Sequence, residues 1–159
     1  MASVAGIERE LRLSLTVRPA ELGRIRRDLL ERLDAWGYAA VRDDAVLVVT
    51  ELLTNVHQHA GGRCDLLVRP AEPGPEPGLL LITVSDPVMV APSRRKAHKA
   101  PGTAEDGRGL VLIDALTEHW ETVLTATGKD IRCVMRVPPP LPHNGVDPCP
   151  STHAPSSKS

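Results

Sequence analysis

The chain contains very few aromatic side chains. Two Trp, one Tyr and no Phe occur among its 159 residues, and no basic stretch is rich in them. Proteins that bind single-stranded nucleic acids stack the bases on aromatic side chains within a positively charged groove. The formal net charge of −1 also gives no overall attraction to nucleic acids or acidic membranes. The composition therefore predicts a protein that binds neither nucleic acid nor membrane directly.

Paired cysteines and long hydrophobic runs are also missing. The three cysteines, Cys64, Cys133 and Cys149, are odd in number and widely spaced, which matches neither a disulfide framework nor a CxxC metal site. No segment approaches the roughly 18 apolar residues of a membrane span. Glu8 and Glu10 interrupt the apolar run that a signal peptide needs. We therefore expect a cytoplasmic protein with reduced thiols.

The length and composition indicate one globular domain. Hydrophobic residues make up 42% and charged residues 25% of the chain, values that are usual for globular proteins. The hydrophobic pattern begins near residue 10 and stops at residue 137, where a segment rich in Pro and Ser follows. We predict an N-terminal extension at 1–9, a domain at 10–137 and a disordered tail at 138–159.

The most informative segment runs from Asp43 to Gly62 and reads DDAVLVVTELLTNVHQHAGG. Its apolar residues recur at helical spacing and predict one buried stripe, formed by Ala45, Val48, Val49, Leu52, Leu53 and Val56. Asp43 and Asp44 favour a helix N-terminus, whereas Gly61 and Gly62 favour the left-handed backbone that ends a helix. The segment is therefore predicted to be a helix beside the core.

Glu51, Asn55 and His59 follow one another at intervals of four residues and predict a polar row beside the apolar stripe. A carboxylate and an amide oxygen one turn apart suit a hard cation such as Mg²⁺, or a base beside a metal-held phosphate. The same row would also arise on an ordinary amphipathic helix with a solvated flank. The helix alone leaves both interpretations open. His57 lies off this row and is predicted to be a surface residue.

Alternation and helical periodicity predict the other elements. Strands are predicted at 10–17, 64–69, 79–85, 121–126 and 131–137, with further helices at 19–37 and 107–120. The apolar run at 79–85 implies a strand covered on both faces, and 127–130 is predicted to be a hairpin turn. The predicted fold class is α+β, a two-layer α/β sandwich in which three helices cover a mixed or largely antiparallel sheet.

Two further features suggest a nucleotide site. Asp86 closes the strand at 79–85, and an ionised Asp only accepts hydrogen bonds, so it selects the adenine amino group over the guanine carbonyl. Gly107 and Gly109 are predicted at a helix start, where free amides bind phosphates, behind a basic loop at 87–106 that is long enough to be a lid. Each feature alone has a simpler interpretation, because Asp-Pro is common in turns and a GxG pair is a weak motif.

In combination these segments resemble a known family. ELLTNVHQHA, from Glu51 to Ala60, resembles the N box of the Bergerat-fold (GHKL) ATP-binding domains, a group that includes histidine kinases and Hsp90-type chaperones. VSDPVMVAP resembles the first adenine-binding box, with Val88 and Val90 where the strict box has glycines, and GRGLVLIDALTEHWE resembles the second glycine box. The resemblance extends over 10–137 and is strongest to the bacterial anti-sigma-factor serine/threonine kinases and their small actinobacterial relatives.

The resemblance implies a role for each matching residue. Glu51 would be the general base, Asn55 would hold Mg²⁺ through its side-chain oxygen, and His59 would shape the edge of the pocket. Asp86 would bind the adenine amino group. The glycine box would contact the phosphates of ATP together with the lid at 87–106, through Gly107, Arg108, Gly109 and Leu110.

Two functions agree with this resemblance. The first is an anti-sigma-factor serine/threonine kinase that transfers the γ-phosphate of ATP, with Mg²⁺, to a small antagonist protein. The second is a non-catalytic regulator that binds a sigma factor or its antagonist, with ATP as a conformational ligand. A slow ATPase is a further alternative. The resemblance also raises homodimerisation, for which the sequence itself carries no signal.

Overall fold

The computed structural model describes residues 9–59, 61–71, 78–88 and 104–138 of the chain. In this part, one antiparallel sheet of five strands lies against a layer of three α-helices. Most of the predicted extension at 1–9, of the lid at 87–106 and of the tail at 138–159 lies outside the described residues. The predictions for those three segments therefore stay predictions.

The sheet is wholly antiparallel in the part of the chain that is described. Its strands are β1 (Leu11–Thr16), β2 (Arg63–Pro70), β3 (Leu79–Asp86), β4 (His119–Thr125) and β5 (Gly128–Arg136). Their order across the sheet is β1-β2-β3-β5-β4. The predicted α+β class and the layer of helices are confirmed, and of the two sheet types considered the antiparallel one is found.

Within the described residues, helices close one face of the sheet. In β3, alternate side chains from Leu80 to Val84 are fully buried, whereas those from Leu79 to Ser85 stay partly exposed. The prediction that β3 is covered on both faces is therefore wrong. Because β3 lies between two other strands, their side chains partly shield its outer-face residues from water. This partial shielding explains why the outer face of β3 also carries apolar residues. We call the helix-covered side the inner face.

The helix layer consists of α1 (Pro19–Trp36), α2 (Arg42–His59) and α3 (Ala104–Leu116), with a short 3-10 turn, Ala39–Val41, between the first two. Helix α2 is central and contacts α1, α3, β2 and β3. Its predicted apolar stripe is confirmed, since every member is at most 2% exposed. None of the helices within the described ranges is both long and apolar enough to cross a membrane.

The predicted helix ends agree with the structure for α1 and α2. Pro19 begins α1, where its missing N–H costs no intrahelical hydrogen bond. Gly37, with φ of 85°, follows the last residue of α1. Gly61 and Gly62 follow α2 with φ of 71° and 85°, the left-handed backbone that glycine adopts without strain.

Trp120 lies in a different element from the one predicted. It belongs to β4 rather than to the end of α3, because α3 stops at Leu116 and His119 already pairs with Val134 of β5. The indole ring is 5% exposed and its Nε1 donates a hydrogen bond to Asp114 Oδ1 at 2.6 Å. The spacing from Leu116 to Trp120 matches a helical turn, so sequence periodicity alone continues the helix too far.

Candidate functional site

Strand β3 ends in a buried carboxylate. The Asp86 side chain is 2% exposed and lies on the inner face. Its Oδ1 accepts a hydrogen bond from the Val88 backbone N–H at 2.8 Å, and its Oδ2 lies 3.6 Å from Lys129 Nζ. The carboxylate thus makes the local turn contact expected of an Asp-Pro pair, and it is also held from a second strand.

Lys129 was not among the residues that the sequence singled out. It pairs with Asp86 in the β3–β5 register and is 8% exposed. The predicted hairpin between the last two strands is confirmed, but its turn lies at 126–127 rather than at 127–130, because β5 already begins at Gly128. From Ile131 onward, the apolar residues of β5 alternate with polar ones. Extending this alternation two residues towards the N-terminus would have placed Lys129 on the inner face.

Gly128 brings the hairpin close to the end of β3. A Cβ atom at this position would lie 1.9 Å from the backbone O of Asp86 and 2.7 Å from Cα of Pro87. No side chain larger than hydrogen fits at these distances without movement of one of the two strands. The close approach of Gly128 therefore allows Lys129 to reach Asp86.

A cavity of about 660 Å³ opens at this end of the sheet. Its volume falls within the roughly 300–1,000 Å³ of small-ligand sites. Besides Asp86, Lys129 and Cys64, it is lined mainly by hydroxyl-bearing and charged residues at the strand ends: Ser14, Thr16, Arg63, Asp65, Ser85, Thr125, Thr127 and Asp130. The cavity is therefore large enough for a nucleotide base. Asp86 is one of its lining residues, while other lining residues such as Asp65 and Asp130 lie on the outer face of the sheet.

The thiols of the inner face are not nucleophiles at neutral pH. Cys64 and Cys133 are both free and buried. Burial raises the pKa of the Cys64 thiol to about 11, and the negative charges of Asp65 and Asp86 add to this rise. Burial alone raises the pKa of Cys133 to about 12. The expectation of reduced cysteines holds for these two, while Cys149 lies outside the described residues.

The polar row of α2 borders the core as predicted. Glu51 and Asn55 are half-buried, one turn apart, and His59 at the end of the helix is exposed. None of the three lines the cavity beside Asp86. The structure thus places the row and the carboxylate on two elements that pack against each other, α2 and β3. That they bind one ligand together stays a prediction.

His57 has a structural contact that the sequence did not indicate. Its side chain is exposed at the surface, but Nδ1 lies 3.1 Å from the backbone O of Val17, within hydrogen-bond distance. The Val17 N–H donates to the Gly62 carbonyl at 2.6 Å, and the Gly62 N–H donates to the Val56 carbonyl at 3.2 Å. His57 therefore ties the end of α2 to the segment after β1.

The glycine box does not begin its helix. Helix α3 starts at Ala104, so Gly107 lies in its first turn and Gly109 in its second. The carbonyl of the residue before a helix accepts the first intrahelical hydrogen bond, from the fourth helical residue, so the amides of both Gly107 and Gly109 fall within the helical hydrogen-bond ladder. Leu110 is 7% exposed and belongs to the hydrophobic core. The Arg108 side chain lies outside the described part, and the nucleotide contacts of this box stay predictions.

The described residues contain no cluster of three or more His, Cys, Asp or Glu side chains that could hold a metal ion. Mg²⁺ at nucleotide sites is commonly held by one or two protein oxygens together with phosphates and waters. The side-chain oxygens of Asn55 and Glu51, on adjacent turns of α2, are a donor set of this kind. These residues therefore fit Mg²⁺ bound together with a nucleotide.

Fold and site together define an α+β domain with a buried acidic residue beside a cavity of small-ligand size. A family model described as the histidine kinase-like ATPase domain matches residues 15–135. Because this match covers most of the chain, the chain belongs to the histidine kinase-like ATPase domain family and is an ATP-binding domain of that type.

A comparison with solved structures also gives a match. It is the histidine kinase domain of the blue-light activated histidine kinase from Erythrobacter litoralis EL346, with 19% sequence identity and a TM-score of 0.45. The alignment covers 78% of this chain and 64% of that one, so the chain spans less than two thirds of the length of that domain. A comparison with curated proteins found no match.

Proposed function

We propose that the chain is an ATP-dependent serine/threonine protein kinase of the anti-sigma-factor type, which acts in the cytoplasm on a small antagonist protein of a sigma factor. The observation that carries the proposal is the Asp86 carboxylate, which is 2% exposed at the end of β3, next to a cavity of about 660 Å³ that Asp86 helps to line. Membership of an ATP-binding family supports ATP as the ligand. The assignment to the anti-sigma-factor kinases rests on the resemblance of the sequence motifs that contain Glu51, Asn55 and Asp86.

Asp86 is the residue that recognises the base. An ionised carboxylate accepts hydrogen bonds and donates none, so it pairs with the exocyclic amine of adenine and repels the carbonyl oxygen of guanine. Among the described residues, Val88 contacts one oxygen of Asp86 and Lys129 lies near the other. Because a carboxylate oxygen accepts more than one hydrogen bond, acceptor capacity remains for a ligand.

Glu51 and Asn55 perform the chemistry of transfer in this proposal. ATP with Mg²⁺ supplies the phosphoryl group and the positive charge that stabilises its transfer. Glu51 takes the proton of the acceptor hydroxyl as the new O–P bond forms and the bond to ADP breaks. Asn55 holds the cation one helical turn away. Both side chains are half-buried rather than closed off, which leaves Glu51 accessible to a hydroxyl of a protein substrate.

The first part of the test concerns the base. ATP, ADP and GTP are titrated with and without Mg²⁺ against wild type, Asp86→Asn and, as a control, Asp34→Asn, which changes an exposed carboxylate paired with Arg42. Wild type and the control should prefer adenine nucleotides. Asp86→Asn should lose about tenfold or more of that preference, because the amide both donates and accepts. Equal binding of ATP and GTP by wild type would contradict the proposed site.

The second part concerns transfer. Wild type, Glu51→Gln and the exposed control Glu31→Gln are incubated with Mg²⁺, γ-labelled ATP and small antagonist-type proteins. Removing the general base should lower labelling about 10²- to 10⁴-fold, while Asn55→Ala, compared with the exposed Gln58→Ala, should weaken Mg²⁺-dependent ATP binding. Normal ATP binding without label on any protein, with wild type equal to Glu51→Gln, would favour the non-catalytic regulator.

A further inference from the structure

Strand β1 forms one edge of the sheet. It pairs with β2 along its whole length, and the Val17 N–H, next along the chain, continues that register by donating to the Gly62 carbonyl. Hydrogen-bonded and non-hydrogen-bonded pairs alternate along an antiparallel ladder. The backbone N–H and C=O groups of Arg12, Ser14 and Thr16 therefore point away from β2. No strand in the described ranges pairs with them there.

This edge lacks the features that usually prevent strand pairing. Natural sheets protect an edge with proline, with a bulge or with a charge that points inward. β1, whose residues are all described, contains no proline and pairs with β2 without a bulge. Its charged residue, Arg12, lies on the outer face, whereas Leu13 and Leu15 on the inner face are partly exposed. Such an edge is a template for another strand.

A groove of about 500 Å³ runs beside this edge, between β1 and α1. The strand contributes residues 13–16 to its lining. From the start of α1 onward, the helix side contributes four charged residues and one apolar residue: Arg18, Glu21, Arg24, Asp28 and Ile25. Ile25 is buried in the core, so the surface that α1 presents to the groove is mainly charged.

The charges on this side of α1 alternate in sign, in the order Arg18, Glu21, Arg24 and Asp28. In a two-fold dimer the same surface of each copy contacts the other, so it must be complementary to itself. If two copies of α1 run antiparallel across an axis between Glu21 and Arg24, each of these two faces the other residue type in the second copy. Arg18 then faces Asp28. The midpoints of the two pairings differ by half a residue, about 0.8 Å along the helix.

We propose that a second copy of this chain occupies the groove, and that the two copies join through the free edges of β1 and the charged sides of α1. The sheet then continues from one copy into the other. With the two-fold axis at Ser14, Arg12 pairs with Thr16 of the second copy and Leu13 with Leu15. This pairing forms about six new backbone hydrogen bonds and opposes no like charges.

One axis serves both elements, because Ser14 lines the same groove as Glu21 and Arg24. A strand from another protein would also fit the free edge. The self-complementary order of charges favours a second copy, since an unrelated segment has no reason to match it. The inference depends on neither the nucleotide nor the proposed kinase activity.

The first test measures the mass of the full chain by analytical ultracentrifugation between about 1 μM and about 200 μM. Wild type should form a dimer. Glu21→Arg and Arg24→Glu each bring like charges together across the axis and should weaken dimerisation about tenfold or more. The matched control is Arg27→Glu, which reverses an exposed charge of α1 that does not line the groove. It should dimerise as wild type does.

Exchanging the two charges separates a contact across the axis from a general loss of folding. The double variant Glu21→Arg/Arg24→Glu should dimerise again, because each contact then joins opposite charges with their positions exchanged. A mixture of the two single variants should form mixed dimers for the same reason. Circular dichroism checks that every variant is folded. A monomeric wild type at about 200 μM, or a dimer that neither single variant weakens, would overturn the inference.

The second test concerns the strand edge. Thr16→Pro removes an N–H group that points away from β2, and proline is tolerated on an edge strand at such a position. This variant should remain folded and become monomeric across the same concentration range. Thr16→Ala, which keeps the N–H group, should dimerise as wild type does. A Thr16→Pro variant that dimerises normally would show that the copies do not join through β1.

Discussion

The two faces of strand β5 carry the same kinds of charge in opposite surroundings. On the inner face, Lys129 pairs with Asp86, and both side chains are at most 9% exposed. On the outer face, three residues further along, Arg132 pairs with Asp130 at 3.1 Å while 48% of its side chain is exposed. The shorter distance belongs to the exposed pair, so distance alone does not rank the two interactions.

This difference shows that exposure to water determines how much each ion pair contributes to stability. The outer pair forms in a high dielectric, where such pairs contribute between about 0 and 1 kcal/mol. The inner pair has lost its hydration, so either charge left alone is strongly unfavourable. The inner face therefore holds an ion pair that is largely shielded from water, whereas the pair on the outer face stays hydrated.

The largest effect should come from breaking the inner pair. Asp86→Ala removes the carboxylate that faces the buried Lys129 ammonium group and should lower the free energy of unfolding by about 3–5 kcal/mol. The outer-face control, Asp130→Ala, should change it by about 0–1 kcal/mol. Urea denaturation of both variants measures the contrast.

The double variant Asp86→Ala/Lys129→Met sharpens this comparison. With both charges removed, most of the lost stability should return, since no buried charge remains unpaired. If Asp86→Ala and Asp130→Ala cost the same, or if the double variant is as unstable as Asp86→Ala, the inner pair is not the desolvated pair described above.

A smaller effect is expected from Gly128→Ala. The added Cβ would lie 1.9 Å from the Asp86 backbone O, and forcing atoms into such a contact costs about 1–3 kcal/mol. Gly23→Ala is the matched control, because Gly23 is inside α1 with no heavy atom within 4 Å of its added Cβ. That change should stabilise the protein by about 0.5–1 kcal/mol.

Thermal or urea unfolding of the two glycine variants tests whether Gly128→Ala lowers the stability of the protein and Gly23→Ala raises it. Gly128→Ala should also weaken ATP binding, since the strand ends must move apart and Lys129 moves with β5. A Gly128→Ala variant as stable as wild type would show that the approach of the hairpin to β3 is not as close as described.

The smallest effect concerns the pH dependence contributed by the inner-face thiols. Burial raises the pKa of Cys133 from its ordinary 9.0 to about 12, so in the folded protein this thiol stays protonated where the unfolded chain has lost the proton. By linkage, the stability that this thiol provides is complete below about pH 9 and falls as the pH rises through the folded-state value.

Cys133→Ala removes this contribution. Its free energy of unfolding, measured in urea at about pH 8 and about pH 10, should fall less between the two pH values than that of wild type. An exposed outer-face change such as Arg132→Met should leave that difference unaltered. A Cys133→Ala variant with the same pH dependence as wild type would contradict the raised thiol pKa.

Much of the fold follows from patterns that are local in the chain. The ends of α1 and α2 were predictable because Pro19, Gly37 and Gly61 act through their own backbone geometry. Four of the five strands were placed within two residues for the same reason, since alternation is a local signal, but β5 begins three residues earlier than predicted. The helix start at Ala104 was missed because Glu105 and Asp106, which suit a first turn, precede the glycines that drew the prediction.

The candidate site also has one part that local patterns predicted and another part that they did not. Asp86 was identified from its place at the end of an apolar run, and the polar row of α2 from its spacing of four residues. Lys129 was overlooked, because the sequence analysis assigned it to the hairpin turn at 127–130 rather than to a strand. Its importance appears only when β5 is paired with β3, which lies more than forty residues earlier in the chain.

The sequence by itself determined which segments become helices and strands, where α1 and α2 end, and that an acidic residue closes β3. Those properties depend on backbone preferences and on the period of apolar residues within one segment. Only the tertiary structure decided that the outer face of β3 stays partly exposed, that His57 contacts Val17, and that Lys129 lies beside Asp86. Each of these depends on register and burial between distant segments, because water is excluded from a charge only where several elements meet.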